Sequence, residues 1–256
     1  MLRYLVPVPY CYRVSHDVPG GFRLGYVPGV MPGKWVRIWG QRRPDVPLTL
    51  VEMTAATALE RVRDGDVDAA LARPPAGAEP ASLGLALIRL YDEVPVVVVP
   101  AEHLFTVADE VPLADLADET VLLPGDDVLG AVLPGAVADY RPPTTGDAVE
   151  LVAAGAGVLV VPQSLARLHH RRDVVYRPLA GGPVSTVGLL WNEPTTELVD
   201  EFIGIVRGRR PGSSRGRDAE VPKRSARQKA ADRRAARHAR GEVPPRRSRP
   251  PRRGRR

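Results

Sequence analysis

The chain has 256 residues, of which 44% are hydrophobic and only 5% aromatic, with a net charge of +6 and a single cysteine, Cys11. One cysteine excludes an internal disulfide and a cysteine-rich zinc or iron–sulfur site, and no apolar run approaches the roughly 20 residues that cross a bilayer. The charge is divided unevenly, because residues 1–206 hold 16 Lys+Arg and 26 Asp+Glu whereas residues 207–256 hold 20 and 4. We therefore predict an acidic body followed by a basic tail.

The first segment, residues 1–21, shows no hydrophobic period and is interrupted by Pro7 and Pro9. We predict that it forms an irregular N-terminal arm. It lacks the uninterrupted apolar stretch and small-residue cleavage site of a secretory signal, which favours a cytoplasmic protein with no membrane partner.

Strand and helix patterns alternate after this arm. In chain order they predict a strand at 22–27, a helix at 35–42, a strand at 48–51, a helix at 57–64, strands at 67–71, 85–90 and 94–99, a helical turn at 113–116, a strand at 121–123, a helix at 148–154, a strand at 158–161, a helix at 164–169, strands at 174–178 and 187–191, and a helix at 198–205. The strand at 94–99 is continuously apolar, so we expect it to be central in its sheet. Short strand–helix–strand connections predict βαβ units with parallel pairing.

Several residues have the character of helix ends. Thr57 and Glu60 have the spacing of a capping box, and Gly65 suits the left-handed position that ends the helix. Asp147 is the predicted cap of the helix over 148–154, which Gly155 ends.

The βαβ pattern occurs twice, over 22–99 and over 100–184, before a closing strand and helix. We therefore predict an α/β fold of two Rossmann-like lobes, with 22–99 plus 187–206 in lobe I and 100–186 in lobe II. Such an arrangement places a ligand between the lobes, where loops at the carboxyl ends of strands converge.

The tail, residues 207–256, is rich in Arg, Pro, Gly and Ser, and no aromatic residue follows Phe202. Such a segment cannot bury enough apolar area to offset its ordering entropy, so we predict disorder. A polyanion that neutralises basic residues in the Ala-rich stretch 226–239 and just beyond it would favour a helix there; these are Arg233, Arg234, Arg237 and Arg240. The tail is thus a candidate for non-specific nucleic-acid binding, with a disordered extension or docking onto the acidic body as the alternatives.

Seven stretches in the body share an order and spacing: Phe22–Gly25, Arg43–Leu48, Leu59–Leu71, Arg73–Pro75, Val96–Pro100 with Glu102–Leu104, Leu113–Leu116, and Leu151–Pro162. Together they resemble the effector-binding domain of LysR-type transcriptional regulators over about residues 22–206. The resemblance implies a type 2 periplasmic-binding-protein-like fold, a small and often anionic inducer in the cleft, and homodimers that form through helices 35–42 and 148–154. Family members carry a winged helix-turn-helix before this domain. Only 21 residues precede Phe22, so we expect a stand-alone sensing module without that route to DNA.

The resemblance places ligand contacts at three matching positions: Gly29, Val30 and Met31 in the first loop, Thr54 to Thr57 before the second helix, and Thr144 and Thr145 with Asp147 at a helix start in lobe II. Free N–H groups at helix N-termini suit a carboxylate or phosphate. Thr54, Thr57 and Thr145 offer hydroxyls, and Arg73 offers a bidentate fork.

Other interpretations of these residues stay open. Thr at the position of Thr57 is more often simply a helix cap, and Arg73 is also consistent with a surface residue. The first loop lacks the hydroxyl often found there in the family, which leaves room for a more apolar ligand beside Val30, Met31 or Trp35. Trp35 and Trp39 are more typical of a core position or of a contact between the lobes.

Catalytic signatures are absent from the sequence. There is no G-x-S-x-G nucleophile elbow, Gly155-Ala156-Gly157 lies between helix and strand in the reverse of a dinucleotide loop, and His169-His170 lies beside two cationic residues. We predict no cofactor, no metal and no catalytic residue. The leading hypothesis is a ligand-sensing domain in transcriptional regulation. The alternatives are a nucleic-acid-associated protein that acts through its tail, an enzyme on the same fold, and a transporter's solute-binding protein, which the missing signal disfavours.

Overall fold

Two mixed β-sheets form the framework of the computed structural model, which describes residues 20–209. In chain order the elements are β1 (Phe22–Tyr26), α1 (Gly33–Arg42), β2 (Leu48–Glu52), α2 (Ala58–Arg63), β3 (Ala69–Ala72), α3 (Pro80–Leu83), β4 (Ala86–Glu93), β5 (Pro95–Pro100), a 3₁₀ helix (Leu104–Val107), β6 (Val111–Pro112), a second 3₁₀ helix (Leu113–Asp118), β7 (Thr120–Leu122), β8 (Ala136–Val137), α4 (Thr145–Ala153), β9 (Val158–Pro162), α5 (Gln163–Leu168), β10 (Val174–Ala180), β11 (Ser185–Trp191) and α6 (Glu197–Val206). Each predicted strand and helix is present, whereas α3, the first 3₁₀ helix, β6 and β8 are too short to show a period.

The strand orders divide these residues into two lobes. The sheet of the first lobe has the order β2-β1-β3-β11-β4, and that of the second lobe has the order β6-β10-β5-β9-β7-β8. The α/β fold of two lobes is therefore confirmed, with the closing strand β11 returned to the first sheet.

Parallel pairing holds for only part of each sheet. β1 is parallel to β2 and β3, and β7 is parallel to β9. However, β11 is antiparallel to both neighbours, and β5 is antiparallel to β9 and β10. The prediction of parallel pairing is wrong for β5, which enters the second sheet from the first lobe and pairs with β9 and β10. No single crossover helix links β5 to either of these strands, so nothing requires it to run parallel to them.

The predicted boundary of the first lobe at residue 99 is too late. The strand β5 (Pro95–Pro100) lies at the centre of the second sheet and so belongs to the second lobe. The chain crosses between the lobes at Val94 and returns through 181–184. The apolar run of β5 is explained by burial on both faces, since Val96 and Val98 pack in one cluster and Val97 and Val99 in another.

Aromatic packing ties the late helix α6 to the first lobe. The rings of Phe22 and Trp39 stack with centroids 4.6 Å apart, and Phe202 of α6 lies 5.2 Å from Phe22. The Trp39 indole N–H donates to the Val46 carbonyl at 2.9 Å, so this buried side chain is a core residue. Trp35 is half-buried and packs against the same core.

Parts of the prediction lie outside residues 20–209. These are most of the arm 1–21 and nearly all of the tail 207–256, including Arg233, Arg234, Arg237 and Arg240. Among the described helices, none combines the length and the apolar character needed to span a bilayer.

Candidate functional site

The first predicted contact loop follows β1. Gly29 has a φ of +81°, a left-handed conformation that favours glycine. The Val30 side chain is buried in the core of the first lobe, whereas Met31 is 85% exposed. Of the three residues predicted here, Met31 therefore presents its side chain to solvent, and Gly29 contributes backbone.

The second loop, between β2 and α2, presents two hydroxyls. The Oγ1 atoms of Thr54 and Thr57 lie 2.9 Å apart, and the Thr57 backbone N–H donates to Thr54 Oγ1 at 3.2 Å. Thr57 precedes α2, but its side chain makes no capping bond, so the predicted capping box with Glu60 is wrong. The physical reason is that the Thr57 backbone is already helical and its hydroxyl is turned to Thr54. Both hydroxyls are exposed and available to a ligand.

The third position is the start of α4 in the second lobe. Thr144 caps this helix: its Oγ1 accepts from the Asp147 N–H at 3.1 Å, while Asp147 Oδ2 accepts from the Thr144 N–H at 3.1 Å. The capping box therefore begins three residues earlier than the predicted cap at Asp147. Thr145 is 2% exposed and donates to Asp126 Oδ1 at 2.9 Å. The carboxylates of Asp126 and Asp147 thus lie at the N-terminus of α4. They offset its favourable dipole and repel an anionic ligand.

Arg73 is not free to bind a ligand through its fork. Its Nε and Nη2 donate to the two carboxylate oxygens of Glu93 at 2.6 and 3.1 Å, with side chains only 2% and 4% exposed. Nη1 donates to the Pro28 carbonyl at 2.9 Å, and Nη2 also donates to Ser164 Oγ at 3.1 Å. The alternative of a surface residue is wrong as well, because Arg73 is buried.

The structure brings some of these residues together across the lobes. A Cβ added at Gly29 would lie 2.9 Å from Ser164 Oγ and 3.2 Å from Arg73 Nη2. The first loop therefore rests on α5 of the second lobe. Thr54 pairs with Thr57 on the first lobe, and Thr144 and Thr145 stand on the second lobe with Asp126.

Three residues of this region were absent from the sequence prediction: Glu93, Ser164 and Asp126. Glu93 carried a usable signal, because it borders the continuously apolar run 94–99, and a carboxylate that becomes buried there requires a partner. Ser164 and Asp126 are ordinary polar residues at element ends, and only the assembled fold selects them.

Metal and histidine chemistry gains no support among residues 20–209. No group of three or more His, Cys, Asp or Glu side chains is arranged to hold a metal ion there. Arg171, next to the two histidines, pairs instead with Glu150 and Asp173.

Comparisons with known proteins agree with this geometry. The family model described as LysR substrate binding domain matches residues 18–210. A relative from Mycobacterium avium named "Probable hydrogen peroxide-inducible genes activator" is 32% identical over 166 residues, which is 60% of this chain and 52% of that protein. The chain spans about half the length of the first curated relatives it matches.

Two solved structures show the same fold. The reduced form of OxyR is 24% identical with a TM-score of 0.61, covering 75% of this chain and 97% of that one. The BenM effector-binding domain, solved with its effector benzoate, is 22% identical with a TM-score of 0.62, covering 75% and 92%.

Proposed function

The chain belongs to the LysR substrate-binding domain family, and from this premise we propose that it senses a small organic ligand held between its lobes and acts in transcriptional regulation. The observation that carries the proposal is the family match over residues 18–210, which includes every described strand and helix. The relatives whose names state a role are gene activators. A regulator of this kind works beside the chromosome, so we place it in the cytoplasm, with ligand binding rather than catalysis as its activity.

The ligand contacts are the first loop (Gly29, Val30 and Met31), the hydroxyls of Thr54 and Thr57, and the start of α4 with Thr144 and Thr145. An anion is the less favoured ligand for two reasons. The positive charge of Arg73 is already neutralised by Glu93, and the carboxylates of Asp126 and Asp147 lie at the start of α4. A neutral compound with hydroxyl or amino donors suits these acceptors, and Met31 offers an apolar surface at 85% exposure.

The regulatory signal is the binding of this ligand, and not the formation of a disulfide inside the domain. One relative is named for peroxide-inducible genes, but the sole cysteine, Cys11, precedes the family-matched residues 18–210. A segment without cysteine cannot form a dithiol–disulfide pair.

A thermal-shift screen of the full chain tests the proposal, with small organic acids, amines, polyols and aromatic compounds, including benzoate, as the probes. A ligand at a hundred times its Kd stabilises the folded state by about 2.7 kcal/mol, which raises the Tm by roughly 5–10 °C for a domain of this size. The shift should shrink in Thr54→Ala and persist in Thr106→Ala, since the Thr106 hydroxyl donates only to the His103 carbonyl within its own turn. Absence of stabilisation by every class would overturn the proposal.

Self-association follows from the same family membership, with a second copy as the partner. A groove between α1 and β2 is lined by apolar residues that include Val36, Val46 and Leu48. The helices expected to meet are α1 and α4, and Arg37 on α1 and Glu150 on α4 are both exposed and opposite in charge. Glu150 would then exchange its partner Arg171 for Arg37 of the second copy, or share its carboxylate between them. Sedimentation equilibrium should show a dimer that Arg37→Glu weakens; a wild-type monomer at tens of micromolar would contradict this contact.

The basic tail is a second candidate for function, as a non-specific nucleic-acid anchor. The observation that favours it is the count of 20 Lys+Arg against 4 Asp+Glu in residues 207–256. Each phosphate that a cation neutralises adds about 0.9 to the slope of log K against log salt. Replacing Arg233, Arg234, Arg237 and Arg240 with alanine should lower that slope by about 3–4 on duplex DNA. An unchanged slope would refute the role of these four residues.

A further inference from the structure

A polar cluster built around the buried pair of Arg73 and Glu93 lies where the chain passes between the lobes. We call its members, Arg73, Glu93 and Ser164, the junction cluster. The Glu93 carboxylate accepts from Arg73 Nε at 2.6 Å and from Arg73 Nη2 at 3.1 Å, and Ser164 Oγ donates to Glu93 Oε1. Ser164 Oγ in turn accepts from Arg73 Nη2 at 3.1 Å. Each of the three side chains is therefore hydrogen-bonded to the other two.

The cluster joins the two lobes through residues of three elements. Arg73 follows β3 and Glu93 ends β4, both in the first sheet, whereas Ser164 lies in the first turn of α5 in the second lobe. Glu93 immediately precedes Val94, where the chain crosses, and the Val94 carbonyl accepts from the Gln163 N–H at 2.9 Å. Movement of α5 against the first sheet must stretch or break the contacts of Ser164.

The first loop is fastened to the same group. Arg73 Nη1 donates to the Pro28 carbonyl at 2.9 Å. Gly29 is so close to α5 that an added Cβ would lie 2.9 Å from Ser164 Oγ and 3.2 Å from Leu165 Cδ2. The loop therefore contacts the Arg73 guanidinium in its own lobe and helix α5 in the other lobe.

A fourth polar residue lies beside the cluster without a partner. Ser185 opens β11 and is paired with Glu93 in the β11–β4 ladder, so their side chains occupy one face of the sheet as neighbours. Ser185 is 6% exposed, and its hydroxyl makes no hydrogen bond within residues 20–209. An unpaired buried hydroxyl costs free energy, and the ladder partner of Ser185 is Glu93, whose carboxylate can accept a hydrogen bond.

We propose that the junction cluster positions the ligand loop 27–31 and couples it to the second lobe through Ser164, with Ser185 as the alternative donor to Glu93 when Ser164 withdraws. Arg73 is then a positioning residue that acts through the Pro28 carbonyl. Two donors that compete for one buried carboxylate give the junction two discrete arrangements, and a ligand that touches loop 27–31 favours one of them. The inference rests on the proposed function only in taking that loop as a ligand contact.

Hydrogen-exchange mass spectrometry of the ligand-free full chain tests the coupling. Ser164→Ala removes the hydrogen bonds of the Ser164 hydroxyl to the Glu93 carboxylate and the Arg73 guanidinium, so amides in 27–31 and in the first turn of α5 should exchange at least about tenfold faster. Amides of α6 should keep their wild-type rates, which a general loss of stability would not allow. Ser82→Ala is the matched control, because the Ser82 hydroxyl donates only to the Glu79 carbonyl within an exposed turn.

Ser185→Ala alone should leave exchange in 27–31 unchanged. The double variant Ser164→Ala/Ser185→Ala should exceed Ser164→Ala by a further factor of about three or more, because no alternative donor remains. The proposal is overturned if Ser164→Ala changes exchange in 27–31 by less than twofold, or if exchange rises equally in α6. Equality of the double and single variants overturns the role of Ser185. Since no ligand is present, these outcomes are separate from a failure of the ligand screen.

Discussion

Replacing Arg73 with methionine removes the cation from an ion pair whose side chains are 2% and 4% exposed. The substitution keeps a long apolar stem but leaves the Glu93 carboxylate buried and without its guanidinium. Breaking a buried pair from one side costs about 3–5 kcal/mol, because the remaining charge has lost both water and partner. The Pro28 carbonyl and Ser164 hydroxyl also lose a donor, which places the cost toward the upper end.

Urea unfolding followed by tryptophan fluorescence measures this loss, since Trp39 and Trp191 are buried. With an m-value of about 2 kcal/mol/M, a loss of about 4 kcal/mol lowers the midpoint by about 2 M. The double variant Arg73→Met/Glu93→Leu should recover most of the loss, because an apolar pair leaves no stranded charge. A cost below about 1 kcal/mol for Arg73→Met, or a double variant less stable than the single one, would refute the buried-pair reasoning.

Three further substitutions or titrations check other parts of the structure. Gly29→Ala should lose about 1–3 kcal/mol in the same urea assay, from its positive φ and the 2.9 Å approach to the facing hydroxyl; a neutral result would contradict the close packing of the loop. Thr144→Ala should cost about 1 kcal/mol through loss of the α4 cap, whereas Thr57→Ala should cost only a few tenths of that, since it caps nothing; equal costs would contradict the assignment. Hydrogen bonding to Arg171 lowers the pKa of Asp173 from 3.8 to about 2. Because the folded-state pKa is the lower one, the stabilisation is present above about pH 4 and is lost as the pH falls toward 2. Carboxyl NMR should give a midpoint near 2 that returns toward 3.8 in Arg171→Gln, and a wild-type midpoint near 3.8 would contradict the contact.

The hydrophobic period of the sequence was sufficient to locate the main elements. The run 94–99 was predicted to be central, and β5 is central with both faces covered. Gly65 and Gly155 were predicted to end helices, and both have φ of +75°. Period and turn chemistry are local properties, so they can be read without knowing which strands pair.

Strand direction and lobe membership could not be read in the same way. A run of valines is buried equally well in a parallel or an antiparallel sheet, and the residues of 94–99 do not state which sheet they enter. The pairing of β5 with β9 and β10 joins residues more than 60 positions apart, and it depends on the whole second lobe.

The candidate site was predictable as loops but not as contacts. The resemblance placed Gly29, Thr54 and Thr144 at element ends, where the structure also has them. The partner of Arg73 was missed because Glu93 lies 20 residues away and Ser164 lies 91 residues away. A local sequence pattern cannot show that an arginine is already neutralised, and this changes the ligand chemistry expected of the cleft.

The measurement that tests the central claim most directly is hydrogen exchange of the full chain with and without the most stabilising compound from the screen. The account predicts that one compound slows exchange in loops of both lobes together, at 27–31 and 54–57 on the first lobe and at 144–147 on the second. Protection confined to one lobe, or to neither, would contradict a ligand held between them.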